Sequence, residues 1–230
     1  MVWNVDFFER SDSPLHPNEV NNGRQISADS DGIWHICETE NLIIKAGPLE
    51  HRIPSFGYVI DEKPLPGKLN VEYLKEKGIK PGPLYGHLKQ GKPIVCPDNT
   101  VINPSDVISP EQPGRKVSIM GDSCGSYKMK HLCFGSDYLV HESTLENSMK
   151  ENAIEKGHST PKMAADFAKE CQVKNLVLTH FSQRYKTIEA AEEGEVSVKV
   201  LLDEAQKELK DCSINALIAR DFLTIPVFKK

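Results

Sequence analysis

Hydrophobic and polar positions along this chain fall into four stretches of different character. Residues 1–31 hold Ser, Asp, Asn and Pro throughout with no sustained apolar period, and predict a loose polar lead. Residues 32–46, GIWHICETENLIIKA, place two short apolar runs around the polar turn E-T-E-N, which predicts a β-hairpin. Strand-like residues resume after Pro54. Residues 61–114 are rich in Pro, Gly and Lys. Within them VEYLKEKG predicts a short helix stopped by Gly78, and KPGPLYGHLKQGK is so dense in turn formers that no regular element is expected.

From residue 115 the pattern becomes that of an α/β protein. RKVSIMGD, DYLVHEST and NLVLTHFS each read as a strand running into a turn. TPKMAADFAKECQ reads as a helix with Thr160 at its cap and Pro161 at the first position. Residues 195–210 read as an amphipathic helix, and INALIA and FLTIPVF as two closing strands. The expected organisation is a lead over 1–31 and one α/β domain over 32–230, with a small projecting excursion at about 61–114.

Charge sharpens this division. The chain has a net charge of −5, yet residues 63–92 contain seven Lys and two Glu, a local net of +5, so the remainder carries −10. A basic arm on an acidic body suits an anionic partner at the arm and metal-binding carboxylates in the body. No apolar run approaches the roughly 18 residues of a membrane span. The start, MVWNVDFFERSDS, lacks the basic lead and long apolar core of a signal peptide. The six Cys, at 37, 96, 124, 133, 171 and 212, include no C-x-x-C pair and read as reduced thiols of a cytoplasmic or nuclear protein.

The chemistry is concentrated at strand ends. Three apolar runs finish on Gly121-Asp122-Ser123, His141-Glu142-Ser143-Thr144 and Thr179-His180-Phe181-Ser182. His158 stands just before a helix start and His51 beside a strand. Taken singly, an Asp after a strand is a turn former and a lone His is a hydrogen-bonded structural residue. Taken together, imidazoles and carboxylates on rigid strand ends form a donor set for Zn²⁺, with an Asp able to bridge two ions.

HRIPSFGY, PGKLN, KPGPLYGHLKQGK, MGDS, HEST, GHSTP and LTHFSQRY occur in the order and approximate spacing of short-form ribonuclease Z, the ELAC-type tRNA 3′-processing endonucleases of the metallo-β-lactamase superfamily. The resemblance covers about residues 23–230. It implies an αββα metallo-β-lactamase sandwich with a protruding exosite arm, two zinc ions, precursor tRNA as substrate and a homodimer. By position, His51 resembles a ligand to the first zinc, Asp122 the bridging carboxylate, and His180 a ligand to the second. Glu142 and His158 resemble the pair that helps the leaving oxygen gain its proton. Lys68, Lys80, Gly82, Pro83, Gly86 and Lys89 resemble the tRNA-holding exosite with its Gly-Pro motif.

One departure is large. The His are at 16, 35, 51, 87, 131, 141, 158 and 180, so the His-x-His-x-Asp-His motif of the family is absent. In the family it precedes the HRIP segment by well over 50 residues and supplies two ligands to each zinc. The Pro-x-Lys-x-Arg-Asn loop is absent as well. The expectation is therefore the C-terminal portion of the sandwich, truncated at its N-terminus and inactive alone. The alternative is a non-catalytic tRNA-binding or dimerisation subunit, or a truncated isoform. Two ligands per zinc are too few for tight binding; the less favoured alternative is a single ion held by His51, Asp122 and His180, which requires the strand ends to relax inward.

Overall fold

The computed structural model describes residues 26–229, so most of the polar lead lies outside the described residues. The hairpin is present as β1 (Trp34–Glu38) and β2 (Leu42–Leu49), antiparallel. Its turn closes on Thr39, whose hydroxyl oxygen accepts the backbone N–H groups of Asn41 and Leu42 at 3.3 and 3.0 Å. The third strand, β3 (Ser55–Glu62), pairs antiparallel with β2 from Leu42↔Glu62 to Leu49↔Ser55.

The chain then forms a separate compact unit, residues 63–114. Helix α1 (Val71–Glu76) follows the sequence expectation: the Asn70 side chain caps it by accepting the Tyr73 N–H, and Gly78 leaves it at φ +73°. The turn-dense segment departs from expectation, because Pro83–Lys89 is a helix, α2. Pro83 sits in its first turn, where a fixed φ favours the helix and the missing N–H costs nothing. Leu84 and Leu88 recur at helical spacing, and Leu88 is fully buried among Leu74, Ile79, Ile94, Cys96, Ile102 and Val107. Burial of that one side chain outweighs the turn preference of Gly82 and Gly86. A two-stranded ribbon, β4 (Ile94–Val95) with β5 (Val101–Ile102), and the short helix α3 (Pro104–Val107) complete this unit.

The main unit resumes at Arg115, whose guanidinium donates to both Glu62 carboxylate oxygens at 2.7 and 2.9 Å. Its remaining elements are β6 (Lys116–Met120), α4 (Lys130–Cys133), β7 (Tyr138–Glu142), α5 (Lys150–Glu155), α6 (Pro161–Glu170), β8 (Asn175–Thr179), α7 (Lys199–Leu209) and β9 (Asn215–Ile218). One seven-stranded sheet runs in the order β1-β2-β3-β6-β7-β8-β9. β6 pairs antiparallel with β3, and β6 through β9 are mutually parallel. Hairpin connections build the antiparallel half, and helical crossovers build the parallel half.

The core lies between this sheet and its helices, where Val59, Leu139, Leu176, Leu178 and Ala216 meet Ala164, Phe167 and Ala168 of α6 and Ala205 and Leu209 of α7. Alternation along the strands sends Tyr58 and its cross-strand partner Ile119 to the opposite face, where they are 44% and 39% exposed. Of the αββα arrangement the described residues thus form one large sheet and its helical layer. The expected last strand, FLTIPVF, is not one. Pro226 has no N–H to give a ladder, and the segment is instead tied by its carbonyls: Pro226 accepts the Tyr138 hydroxyl and Val227 accepts Arg115 Nη1, at 3.4 and 3.0 Å.

Candidate metal centre

The parallel register explains why distant residues meet. β6, β7 and β8 lie side by side and end at one edge of the sheet, with Glu142 opposite Thr179 across β7 and β8. Asp122 follows β6 by two residues, Glu142 ends β7, and His180 follows β8 directly. The carboxyl ends of parallel strands are where α/β sheets place their ligand sites. Here Asp122, His158 and His180 each direct a ligand atom to one point, all three atoms within 4.8 Å of one another. Asp122 Oδ1 and His180 Nε2 are 3.4 Å apart. The His180 ring stacks on that of His158 with centroids 5.2 Å apart, and the His158 ring lies 5.3 Å from that of His51.

Five residues singled out from the sequence are thus gathered at one place, in an arrangement the sequence did not specify. His158 groups with Asp122 and His180, while His51 is outside that trio with its ring against His158. Lys68, Lys80, Gly82, Pro83, Gly86 and Lys89 all belong to the separate unit at 63–114. There Gly82 caps α2, and the three lysines are exposed.

Each imidazole has its Nδ1 engaged. His51 Nδ1 donates to the Gly157 carbonyl at 2.7 Å. His158 Nδ1 meets Glu142 Oε1 at 3.0 Å. His180 Nδ1 meets the Thr144 hydroxyl oxygen at 3.0 Å. With Nδ1 held in this way, the nitrogen left for a metal is Nε2 on all three rings, as metal-binding His residues require of their outer partners. Two imidazoles and a carboxylate form a donor set that fits Zn²⁺.

Behind the trio lies Glu142, whose side chain is 1% exposed. Its carboxylate accepts the backbone N–H groups of Ser123 and Ser159 at 2.6 and 2.9 Å and the Thr144 hydroxyl at 2.5 Å, besides meeting His158. Four partners explain how a charged group is tolerated there. His141, on the same strand, is buried too. Its Nδ1 donates to the Glu142 carbonyl at 2.8 Å and its Nε2 accepts the Ser126 hydroxyl at 3.1 Å. Burial pushes its imidazole below the usual range and keeps it neutral, although the Glu142 carbonyl and carboxylate pull the other way.

The sequence pattern gave Ser123 and Thr144 a place in the strand-end clusters but no role, and it did not single out Gly157 and Ser159. Each is part of a quoted motif and lies within two residues of a named site residue, and that adjacency was the available signal.

No protein-family model matches the chain. Among curated proteins, it is 44% identical over 222 residues to the zinc phosphodiesterase ELAC protein 1 of Bos taurus, covering 95% of this chain and 60% of that protein. The Homo sapiens protein of the same name gives 44% over 221 residues with the same coverage. Ribonuclease Z of Brevibacillus brevis is 40% identical over 195 residues, covering 85% of this chain and 58% of that protein. The chain therefore spans about 60% of the length of these relatives. Among solved structures, human tRNase Z, short form, superposes with a TM-score of 0.52 at 30% identity, over 93% of this chain and 55% of that one.

A sheet that gathers His and Asp side chains at adjacent strand ends, superposing on that structure, defines a protein of the metallo-β-lactamase fold. Within that class the chain is a relative of ribonuclease Z and the ELAC-type zinc phosphodiesterases, as its seven motifs indicate.

Proposed function

We propose that this chain carries the distal half of a zinc phosphodiesterase site of the kind that removes the 3′ trailer from precursor tRNA. The observation that carries the proposal is the convergence of Asp122, His158 and His180 in front of the buried Glu142. Zinc in such a site supplies Lewis acidity and a bound water whose pKa falls to about 7. Asp122 and His180 present a carboxylate oxygen and an Nε2 to one point. His158 completes a three-ligand site in the chain as it stands. Where further ligands come from another segment, His158 is released to hold a proton at Nε2 for the leaving oxygen, with Glu142 fixing the ring through Nδ1.

The chain has no His-x-His-x-Asp-His motif, and the family draws two ligands for each zinc from that motif. In this reading the chain holds one zinc and does not cleave precursor tRNA unaided. A second reading, tRNA binding without catalysis, is favoured by the lysine-rich unit at 63–114, which has a buried core of its own.

The test is zinc stoichiometry by calorimetry, together with incubation of the purified chain with zinc and a precursor tRNA bearing a 3′ trailer. The expected result is one bound zinc, lost in Asp122→Ala and His180→Ala, with no cleavage. Zinc binding unaffected by both substitutions would overturn the site assignment. Zinc-dependent cleavage abolished by Asp122→Ala would overturn the inactivity.

A further inference from the structure

Thr144 occupies a position that the proposed chemistry has not yet used. It follows β7, and its backbone links two neighbouring loops: its N–H donates to the Ser159 carbonyl at 3.0 Å, and its carbonyl accepts the Ser182 N–H at 3.1 Å. The first loop carries His158 and the second carries His180. Its hydroxyl oxygen then lies 2.5 Å from Glu142 Oε2, 3.0 Å from His180 Nδ1 and 2.9 Å from the His180 carbonyl.

A hydroxyl has one proton to give. The shortest contact, to a carboxylate, takes it, since a charged acceptor makes the stronger bond. The oxygen is then an acceptor toward His180, and the only donor that ring can offer it is Nδ1–H. That fixes the tautomer. Nε2 is left with a lone pair facing Asp122 Oδ1 at 3.4 Å, two electron-rich atoms set for a cation between them.

His180 also needs support at the backbone. Its φ is +58°, a left-handed conformation that costs a residue with a Cβ about 1–2 kcal/mol. The hydrogen bond from His180 Nδ1–H to the Thr144 hydroxyl oxygen gives the local hold that such a conformation requires. We infer that Thr144 is the positioning residue of this site, relaying the buried Glu142 carboxylate to His180 so that Nε2 is deprotonated and aimed at the metal position. The inference rests on the metal-site reading proposed above.

Thr144→Val keeps the shape and removes the hydroxyl, and Thr144→Ser restores it. Two measurements on the full chain are needed. The first is long-range ¹H–¹⁵N NMR of the imidazoles without metal at about pH 8, where an ordinary imidazole of pKa about 6.5 is neutral. His180 should be the Nδ1–H tautomer in the parent and in Thr144→Ser, and should shift toward Nε2–H in Thr144→Val. The second is titration with Zn²⁺ against a chromophoric chelator and with Co²⁺ by its visible absorption. Thr144→Val should bind about 10- to 100-fold more weakly with an altered Co²⁺ spectrum, and Thr144→Ser should stay near the parent.

An unchanged His180 tautomer in Thr144→Val overturns the inference, as does Thr144→Ser behaving like Thr144→Val. If the parent binds no zinc while the tautomer shift occurs, the metal-site reading fails and the positioning role of Thr144 stands. Equal unfolding midpoints across the three proteins would separate positioning from a general loss of stability.

Discussion

Glu142 and His141 are consecutive residues that face opposite ways and meet burial differently. Glu142 collects hydrogen bonds from Ser123, Thr144 and Ser159. His141 stays neutral because burial disfavours its charged form, and both ring nitrogens find partners inside the protein. The second case has a pH consequence. Burial lowers the folded-state pKa of His141, so below the unfolded value of about 6.5 the unfolded chain binds a proton that the folded chain refuses. The contribution of this residue to stability is complete above that pH and declines as pH falls, by at most about 1.4 kcal/mol per unit. Urea midpoints measured between about pH 8 and pH 5 should show the decline, and His141→Gln should flatten it. An equally steep profile in the variant would assign the effect to other groups.

Elements aim these residues, and two of them offer direct tests. Gly157 follows α5 with φ +81°, and its carbonyl takes the His51 Nδ1 proton. A Cβ there would come within 2.5 Å of that same nitrogen. Gly157→Ala should therefore lower stability by about 1–2 kcal/mol through the left-handed backbone and turn His51 away from its carbonyl. Chemical denaturation gives the first effect and the His51 imidazole NMR signals the second. A variant with the parent's midpoint and unmoved signals would show that the contact is not tight. The second test concerns α2 and its flanks, where Lys80 and Lys89 are exposed, as is Lys68 earlier in the same unit. If each of these lysines contacts a phosphate, changing all three to Ala should reduce the slope of log K against log salt for tRNA binding by roughly 2–3 units. A slope equal to the parent's would place the RNA elsewhere.

At the scale of the whole molecule, one sheet face is packed by helices and the other presents an apolar row. Ala46, Tyr58, Ile119, Val140, Val177 and Leu217 are successive cross-strand partners, with Tyr58 and Ile119 well exposed. Ala46 and Val177 are buried, so the exposed apolar surface centres on Tyr58 and Ile119, and exposed apolar side chains of this kind bind apolar probes. The chain should enhance the fluorescence of an anilinonaphthalene dye in its folded state, and Tyr58→Lys with Ile119→Lys should remove most of that signal. Enhancement that persists in the double variant would point to another surface.

Much of this architecture was legible in the sequence. The hairpin at 34–49, the strands ending before Asp122, at Glu142 and before His180, and the helix begun by Thr160 and Pro161 all follow from apolar periodicity and turn chemistry, which are local properties. The seven motifs likewise placed the chain among its ribonuclease Z relatives. The sequence did not determine that α2 would be a helix, because the burial of Leu88 depends on residues from Leu74 to Val107. Nor did it determine that FLTIPVF would forgo the sheet, or that His158 rather than His51 would stand beside Asp122 and His180. Those outcomes depend on strand register and on hydrogen bonds between residues far apart in the chain, such as His51 to Gly157. A linear pattern records which side chains are available at each strand end. Only the packed sheet sets which of them share a point in space and which nitrogen of each imidazole is left free.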